Sequence, residues 1–253
     1  MSADLLVDRD GDVAIIAINR PPANFFDAAL ISDLADAYER VADEGARVVV
    51  LRSEGKHFCA GADFSSAGMA DRGASAQAVY REAVRLFRAR LPIVAAVQGS
   101  AVGGGLGLAC SADFRVASSA TRFLANFSML GFHQGFGISE SLPAIVGTQA
   151  AMDLLYTSRR VDGVRAAEIG LVDRIAEPGR ETEVALEYAR EIAAAAPLAV
   201  QSMKQTLRGA LAERVERVID RELAEQRRLW DTEDSREGIR ASIARETPAF
   251  TGE

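Results

Sequence analysis

The chain has 253 residues, 49% of them hydrophobic and 26% charged, with a formal net charge of −7. This composition excludes a disordered chain, and the length favours one large domain or one domain with an appendage. Because 29 Lys and Arg face 36 Asp and Glu, the acidic balance argues against a nucleic-acid partner, RNA included.

The first half of the chain alternates between apolar strands and helices. Buried strands are predicted at residues 13–18, 48–51 and 93–97. Asp27 is the expected N-cap of a helix whose apolar residues recur at helical spacing, and residues 81–90 predict a second helix after a loop at 65–75. Continuous apolar strands between helices predict an α/β fold.

The last part of the chain is helical by its pattern. Residues 181–196 predict a helix that ends before Pro197, and a long helix with one apolar stripe follows. Trp230 lies near the end of that helix, and a last helix is predicted over 234–245. We therefore divide the chain into a core, 1–195, and a helical C-terminal segment, 196–253.

The N-terminal residues and the cysteines indicate the cellular compartment in which the protein is expected. The first residues carry acids and lack the basic segment and apolar stretch of a signal peptide, and the apolar runs are strand-sized. We expect a cytoplasmic protein with no membrane partner.

Cys59 and Cys110 lie in small-residue apolar runs, which predicts buried reduced thiols. Two Cys and two His far apart give no zinc spacing, so we expect no metal.

Two turns of small residues are the most informative features. The first, HFCAGAD, spans residues 57–63, and the second, GSAVGGGLG, spans 99–107; each is predicted to lead from a strand into a helix. Such turns present unpaired N–H groups, and two that converge on one oxygen form an oxyanion hole suited to enolate chemistry. Close helix–strand packing is the alternative. A dinucleotide site is disfavoured because the G-x-G-x-x-G spacing fails at Leu108 and Cys110.

HFCAGAD, followed by LPIVAAVQGSAVGGGLGLA, resembles the crotonase (enoyl-CoA hydratase/isomerase) superfamily. The resemblance continues in INRPPANFFD, SADFRVAS, GFHQGFGISESLPAIVG, LLYTSRRVDGVRAAEIGLVDRI, APLAVQSMK and EDSREGIRASIARETPAF. It implies an α/β spiral of ββα turns with a helical C-terminal segment. It also implies a homotrimer or dimer of trimers, with residues 196–253 as the trimerisation segment.

The resemblance implies an acyl-CoA thioester substrate that reacts through an enolate, with coenzyme A as part of the substrate and no separate cofactor. By position, the two oxyanion donors are the backbone N–H groups of Ala62 and Gly104. Ala60, Gly61, Ala62 and Asp63 resemble the region that contacts coenzyme A. For Asp63, a helix cap is the alternative.

The chain departs from the hydratases of that family at two positions. Their two water-activating glutamates fall on Gly107 and Phe127 here, and neither residue can transfer a proton. The resemblance therefore does not extend to glutamate-dependent hydration or single-glutamate isomerisation. Five phenylalanines suggest an apolar acyl pocket, with plain core packing as the alternative: Phe25, Phe26, Phe127, Phe132 and Phe136.

Other side chains are candidates for the missing proton transfer. His133 is the leading acid–base candidate because an imidazole titrates near neutrality; a structural histidine is the alternative. Gln134 is a candidate to bind substrate or water by hydrogen bonds. Glu140 could reach the pocket from the next helix, with an ion-paired surface glutamate as the alternative. His57 is expected to shield or touch coenzyme A.

Two functions follow from these residues. The first is an acyl-CoA enzyme, a lyase, isomerase or hydrolase, whose reaction could be isomerisation, C–C cleavage, hydrolysis or decarboxylation. The second is an acyl-CoA-binding homologue without catalysis. An enzyme should place His133 or Glu140 close to the N–H groups of Ala62 and Gly104.

Overall fold

The computed structural model describes residues 3–62 and 72–253. Its strands are β1 (Leu5–Asp10), β2 (Val13–Ile18), β3 (Val48–Ser53), β4 (Ile93–Val97), β5 (Ser100–Val102), β6 (Phe114–Ser118), β7 (Arg122–Leu124), β8 (Val161–Asp162) and β9 (Arg174–Ala176). Its helices are α1 (Ala28–Asp43), α2 (Arg72–Phe87), α3 (Gly104–Ser111), α4 (Ile138–Val146), α5 (Thr148–Thr157), α6 (Gly163–Glu168), α7 (Glu181–Ala193), α8 (Pro197–Trp230) and α9 (Glu233–Ala244).

The strands form two sheets. The larger has the order β1-β2-β3-β4-β6-β9, and every pair in it is parallel except the antiparallel edge pair β1–β2. The smaller has the order β5-β7-β8. Parallel strands are covered on both faces, which explains why the central strands read as unbroken apolar runs. The predicted α/β fold is confirmed.

Alternate residues of the central strands serve two cores. Val49 and Leu51 of β3 belong to the main core with α1, whereas Val48 and Val50 pack with the buried alanines of α7 on the other face. Small alanines let α7 lie close to the sheet. The central strands are therefore packed on both faces, and this packing holds the strand ends from which the loops begin.

The chain winds through ββα turns. Strand β4 passes through Gly99 into β5 and then α3, and strand β6 passes into β7, a 3-10 turn at Ser128–Leu130 and then α4. The expected spiral is thus present. One detail of the prediction is wrong: the second glycine run is not a single strand-to-helix turn, because Ser100–Val102 pairs with β7 as a separate short strand.

The boundaries of α2 differ clearly from the sequence pattern, which predicted a helix only over 81–90. Helix α2 begins at Arg72, earlier than predicted, because Ala76, Val79 and Ala83 extend its buried face toward the N-terminus. Of the loop predicted over 65–75, residues 65–71 lie outside the described ranges, and 72–75 are helical. No helix within 3–62 or 72–253 is both long and apolar enough to span a membrane.

The C-terminal helices agree closely with the pattern. On α8, the buried residues Leu211, Val215, Ile219 and Leu223 follow one another at four-residue spacing, so this half of the helix packs onto α2 and α4. The first half differs, since its large apolar side chains are exposed: Leu198 is 79% exposed, Met203 62% and Leu207 79%. The predicted division at residue 195/196 stays a prediction.

Candidate active site

The two small-residue turns lie directly against each other. The N–H of Cys59 donates to the carbonyl of Ser100 at 3.1 Å, and the N–H of Val102 donates to the carbonyl of Cys59 at 3.0 Å. Both cysteines are buried free thiols, as predicted, and burial raises the pKa of Cys59 to about 12 and that of Cys110 to about 11. The two turns are therefore joined by backbone bonds, with an unreactive thiol beneath them.

Two glycines make this close approach possible. A Cβ atom on Gly105 would lie 2.1 Å from the carbonyl oxygen of Cys59, and one on Gly99 would lie 2.0 Å from that of Lys56. Gly99 also has a φ of +63°, in the left-handed region. Any side chain at either position would separate the turns.

Neighbouring hydrogen bonds fix the directions of the two expected donors. The carbonyl of Gly61 accepts from Phe26 N at 3.0 Å, so across the trans peptide the N–H of Ala62 points the opposite way. The carbonyl of Gly103 accepts from Leu106 N at 3.0 Å inside α3, so the N–H of Gly104 points out of the helix N-terminus. Neither N–H donates to another residue within the described ranges.

The two amides border one cavity of about 570 Å³. A Cβ on Gly61 would lie 3.5 Å from Gly104 N, which shows how near the two turns come at this point. Five of the candidate site residues line the cavity: Ala60, Gly61, Ala62, Gly104 and Phe127. So do Phe26, Phe132 and Phe136, whereas Phe25 is not among the lining residues and is 43% exposed. Asp63 lies outside the described residues.

Aromatic side chains fill the space around Gly107 and at Phe127, the two positions at which the resemblance led us to expect glutamates. A Cβ on Gly107 would lie 2.9 Å from both Cβ and Cδ1 of Phe136, so that ring occupies the path of any side chain at 107. Phe136 has a φ of +61° and stacks at a tilt against Phe26, with ring centroids 5.2 Å apart. Phe127 is 7% exposed and lies edge-on to Phe132.

The two acid–base candidates, His133 and Glu140, and the hydrogen-bonding candidate Gln134 are not among the described residues that line the cavity. Nδ1 of His133 is 2.8 Å from the carbonyl oxygen of Gln134. Nε2 of Gln134 donates to Ser139 Oγ at 3.0 Å, and Glu140 forms an ion pair with Arg214 at 3.0 Å. All three side chains are therefore engaged within the scaffold. His57 also does not line the cavity, and burial lowers its pKa, helped by the charge of Lys56.

A buried polar group on α8 supports the 131–137 loop from behind. Glu222 accepts hydrogen bonds from Gly137 N at 2.8 Å and Ser139 N at 2.9 Å. Its burial raises the pKa of the carboxyl to about 7, against the opposing effect of these hydrogen bonds. One turn later, Gln226 donates to the His133 carbonyl at 2.9 Å and accepts from the buried Tyr80 hydroxyl at 2.7 Å.

Sequence reasoning missed the polar residues of the cavity wall. Asp27 was predicted only as a helix cap, a role that is confirmed by its bond from Leu30 N, yet it also lines the cavity. Asn126 lines it too, and so do Tyr80 and Gln226. The i, i+4 spacing of Glu222 and Gln226, polar residues on the apolar stripe of α8, was the available signal. No group of residues within the described ranges has a metal-binding arrangement.

Comparisons with known proteins agree with this architecture. The model of the enoyl-CoA hydratase/isomerase family matches residues 8–253. A probable enoyl-CoA hydratase of Rhizobium meliloti is 36% identical over 97% of both chains, and an (E)-benzylidenesuccinyl-CoA hydratase of Thauera aromatica is 33% identical over 95% of this chain and 96% of its own. A crystal structure of an enoyl-CoA hydratase from Mycobacterium avium superposes with a TM-score of 0.87 at 28% identity, over 99% of this chain and 100% of that one.

Proposed function

Because the chain belongs to the enoyl-CoA hydratase/isomerase family, we propose that it binds an acyl-CoA thioester and stabilises the enolate of that thioester. The observation that carries the proposal is the placement of the backbone N–H groups of Ala62 and Gly104, which have no partner within residues 3–62 and 72–253, on the wall of one apolar cavity. Preorganised donors of this kind are worth most where water is excluded and charge develops on a carbonyl oxygen.

In the proposed complex the thioester oxygen lies between the two amides. Loss of a proton from the carbon beside the carbonyl places negative charge on that oxygen, and the two N–H groups lower the energy of this state. A single such donor contributes about 10²–10³ in rate in known oxyanion holes. The acyl chain then extends along the aromatic side chains, where Phe127 and Phe132 line the cavity.

The proposal excludes hydration by two glutamates. General acid–base catalysis needs a titratable group within reach of the proton, and Gly107 and Phe127 supply none. The Phe136 ring lies against Gly107, which supports this reading because it fills space that a glutamate at 107 would need. We retain His133 as the candidate base, which requires that its side chain turn away from the Gln134 carbonyl.

The second candidate function is acyl-CoA binding without turnover. It is favoured by the engagement of Glu140 with Arg214 and by the position of His133 outside the cavity lining. The two functions share the binding step and differ only in proton transfer.

One experiment separates the two. Butyryl-CoA is incubated with the protein in D₂O, and exchange of its α-protons is followed by NMR, beside a hydration assay with crotonyl-CoA. Enolate formation predicts α-proton exchange above the buffer rate without hydration, and the folded His133→Ala variant should lose that exchange. Binding without exchange would support the binding protein, and rapid hydration would contradict the proposed loss of glutamate chemistry.

We also propose that the chain assembles as a homotrimer or dimer of trimers through its C-terminal helices. The exposed Leu198, Met203 and Leu207 of α8 and the 80%-exposed Ile243 of α9 support this, because large apolar side chains are costly to leave in water. Sedimentation analysis of the wild type and a Leu198→Glu/Leu207→Glu variant tests the proposal. A monomeric wild type would contradict it.

A further inference from the structure

Helix α3 carries one of the two proposed donors, the N–H of Gly104, at its first residue. Its later residues are buried and uncharged, and Gly105 and Gly107 lie close to Cys59 and Phe136. Contacts of this kind restrict sideways movement of the helix. Its position along its own axis depends on the groups at its two ends, and the N-terminal end faces the cavity. What binds the C-terminal end therefore decides how firmly the donor is placed.

Two guanidinium groups bind the C-terminal end of α3. Nη2 of Arg208 donates to the carbonyls of Ser111 at 3.0 Å and Ala112 at 3.1 Å. Nη1 of Arg115 donates to the carbonyls of Ala112 at 2.9 Å and Ala109 at 3.3 Å. The last carbonyls of a helix have no partner inside it. Here they are bound by side chains of β6 and α8, so α3 is tied to both elements.

Three cations meet two carboxylates around this helix end. Nζ of Lys204 is 2.8 Å from one oxygen of Asp113, and Nε of Arg208 is 3.4 Å from the other. Arg115 is paired with Asp173 at 3.2 Å. Within this cluster one positive charge is left over, and it lies against the negative end of the α3 dipole.

The length of α3 determines what that charge does at the cavity. Eight residues at about 1.5 Å each put the cluster about 12 Å from the N–H of Gly104. Because the residues between are buried, solvent screens the charge little. At an effective dielectric constant of about 20, a unit charge at that distance changes the rate of enolate formation about tenfold. This is less than the roughly 10²–10³ contributed by a direct donor, yet large enough to measure.

The Arg208 guanidinium can be removed without stranding a carboxylate, because Asp113 keeps its bond to Lys204. The same change at Arg115 would take the cation from Asp173. Water can reach the carbonyls that Arg208 would leave, because this side chain lines a surface cavity of about 420 Å³ between α8 and the end of α2. Arg208 is therefore the member of the cluster whose role can be tested by substitution.

We infer that Arg208 is a positioning residue: it holds α3 along its axis and places positive charge behind the Gly104 donor. The inference rests on the proposed function, because this charge acts on the reaction only when the thioester oxygen lies at that donor. It adds a role for α8 at the backbone wall of the cavity, which no residue of α8 contacts directly through the two turns.

The test reads the polarisation of the thioester carbonyl. Butyryl-CoA labelled with ¹³C at that carbonyl is bound at saturation to the wild type, Arg208→Met and Arg208→Lys, and the C=O stretch is measured by isotope-edited infrared spectroscopy. Exchange of the α-protons in D₂O is measured beside it. Binding to the wild type should lower the stretching frequency, and Arg208→Met should reduce that shift and slow exchange about tenfold. Arg208→Lys keeps the charge and should stay within about threefold of the wild-type rate.

The control is Arg217→Met, which removes the same charge from an exposed position on α8. It should keep the wild-type band and exchange rate. Urea unfolding of each variant measures any loss of stability, which by itself does not move the band of a saturated complex. A wild-type band in Arg208→Met, or in Arg208→Gln if the first variant does not fold, would overturn the inference and leave the proposed function standing. An unshifted band in the bound wild type, or no binding, would overturn both.

Discussion

The cavity has two walls built on different principles. One wall is backbone: the amides of Ala62 and Gly104, held by the hydrogen bonds that join Cys59 to Ser100 and Val102. The other is the 131–137 loop, whose position depends on side chains of α8 that lie about 85 to 93 residues away in sequence. The first wall needs only small residues at the right places. Since the loop is held by side chains of α8 and not by the backbone bonds of the first wall, substitutions on the loop can change the side chains that line the cavity and leave the two amides in place.

The largest expected effect comes from separating the two turns. Gly105→Ala should lower the free energy of unfolding by about 3 kcal/mol, because its Cβ would overlap the Cys59 carbonyl in a packed site. Denaturant unfolding measures this, and calorimetry should show loss of butyryl-CoA binding in any folded protein. The matched change Gly209→Ala on α8, where the nearest atom is the flexible Gln205 side chain, should stabilise by about 1 kcal/mol. A Gly105→Ala protein as stable as wild type would show that the turns are not held by close approach.

The second prediction concerns the support of the loop wall and its dependence on pH. Burial raises the pKa of Glu222 from 4.5 to about 7. The folded state therefore binds this proton more tightly than the unfolded state, and stability is lost as pH rises through that window. Relative to Glu222→Gln, the wild type should lose about 3 kcal/mol of unfolding free energy between pH 4.5 and 7.

Urea unfolding across that pH range gives the comparison, with Glu213→Gln, an exposed glutamate on the same helix, as the control. The control should track the wild type. Parallel pH profiles for the wild type and Glu222→Gln would mean that the carboxyl titrates normally and that the loop is held by other contacts.

The third prediction tests the contact between α3, the helix that begins at Gly104, and the 131–137 loop. At an open position in a helix, replacing glycine by alanine stabilises the protein. At position 107 the added Cβ would instead meet the Phe136 ring. We therefore expect Gly107→Ala to lower the free energy of unfolding by about 2 kcal/mol. In a protein that already carries Phe136→Ala, Gly107→Ala should leave the free energy of unfolding unchanged or raise it, because the ring is absent. A double-mutant cycle in urea measures the coupling. Additive effects would show that Phe136 does not occupy the space at 107.

The smallest effect separates two roles of Asp27, which caps α1 and also lines the cavity. Asp27→Ala removes the cap of α1 and should cost about 1 kcal/mol, whereas Asp27→Asn keeps a capping oxygen and should cost less than about 0.5 kcal/mol. Thermal unfolding distinguishes the two. If Asp27→Asn instead abolishes α-proton exchange while remaining stable, the carboxylate takes part in proton transfer as well as capping.

Several elements were predictable because their signals are local. Asp27 caps α1 as its position indicated, and Leu211, Val215 and Ile219 are buried as their spacing indicated. Strand β5 was not predictable, since three residues beside glycines acquire strand geometry only by pairing with β7. The placement of Phe136 against Gly107 was also hidden, because a local pattern does not say which ring of an aromatic loop turns inward.

By itself the sequence determined the α/β architecture, the buried thiols and the two turns whose small residues let backbone approach backbone. Those features follow from periodicity and from the absence of side chains, which are properties of short segments. Only the tertiary structure decided which groups face the cavity: Asn126 does, while His133 and Glu140 are engaged elsewhere. The reason is that the 131–137 loop is oriented by Glu222 and Gln226, and contacts at such separation are specified by the packing of whole helices.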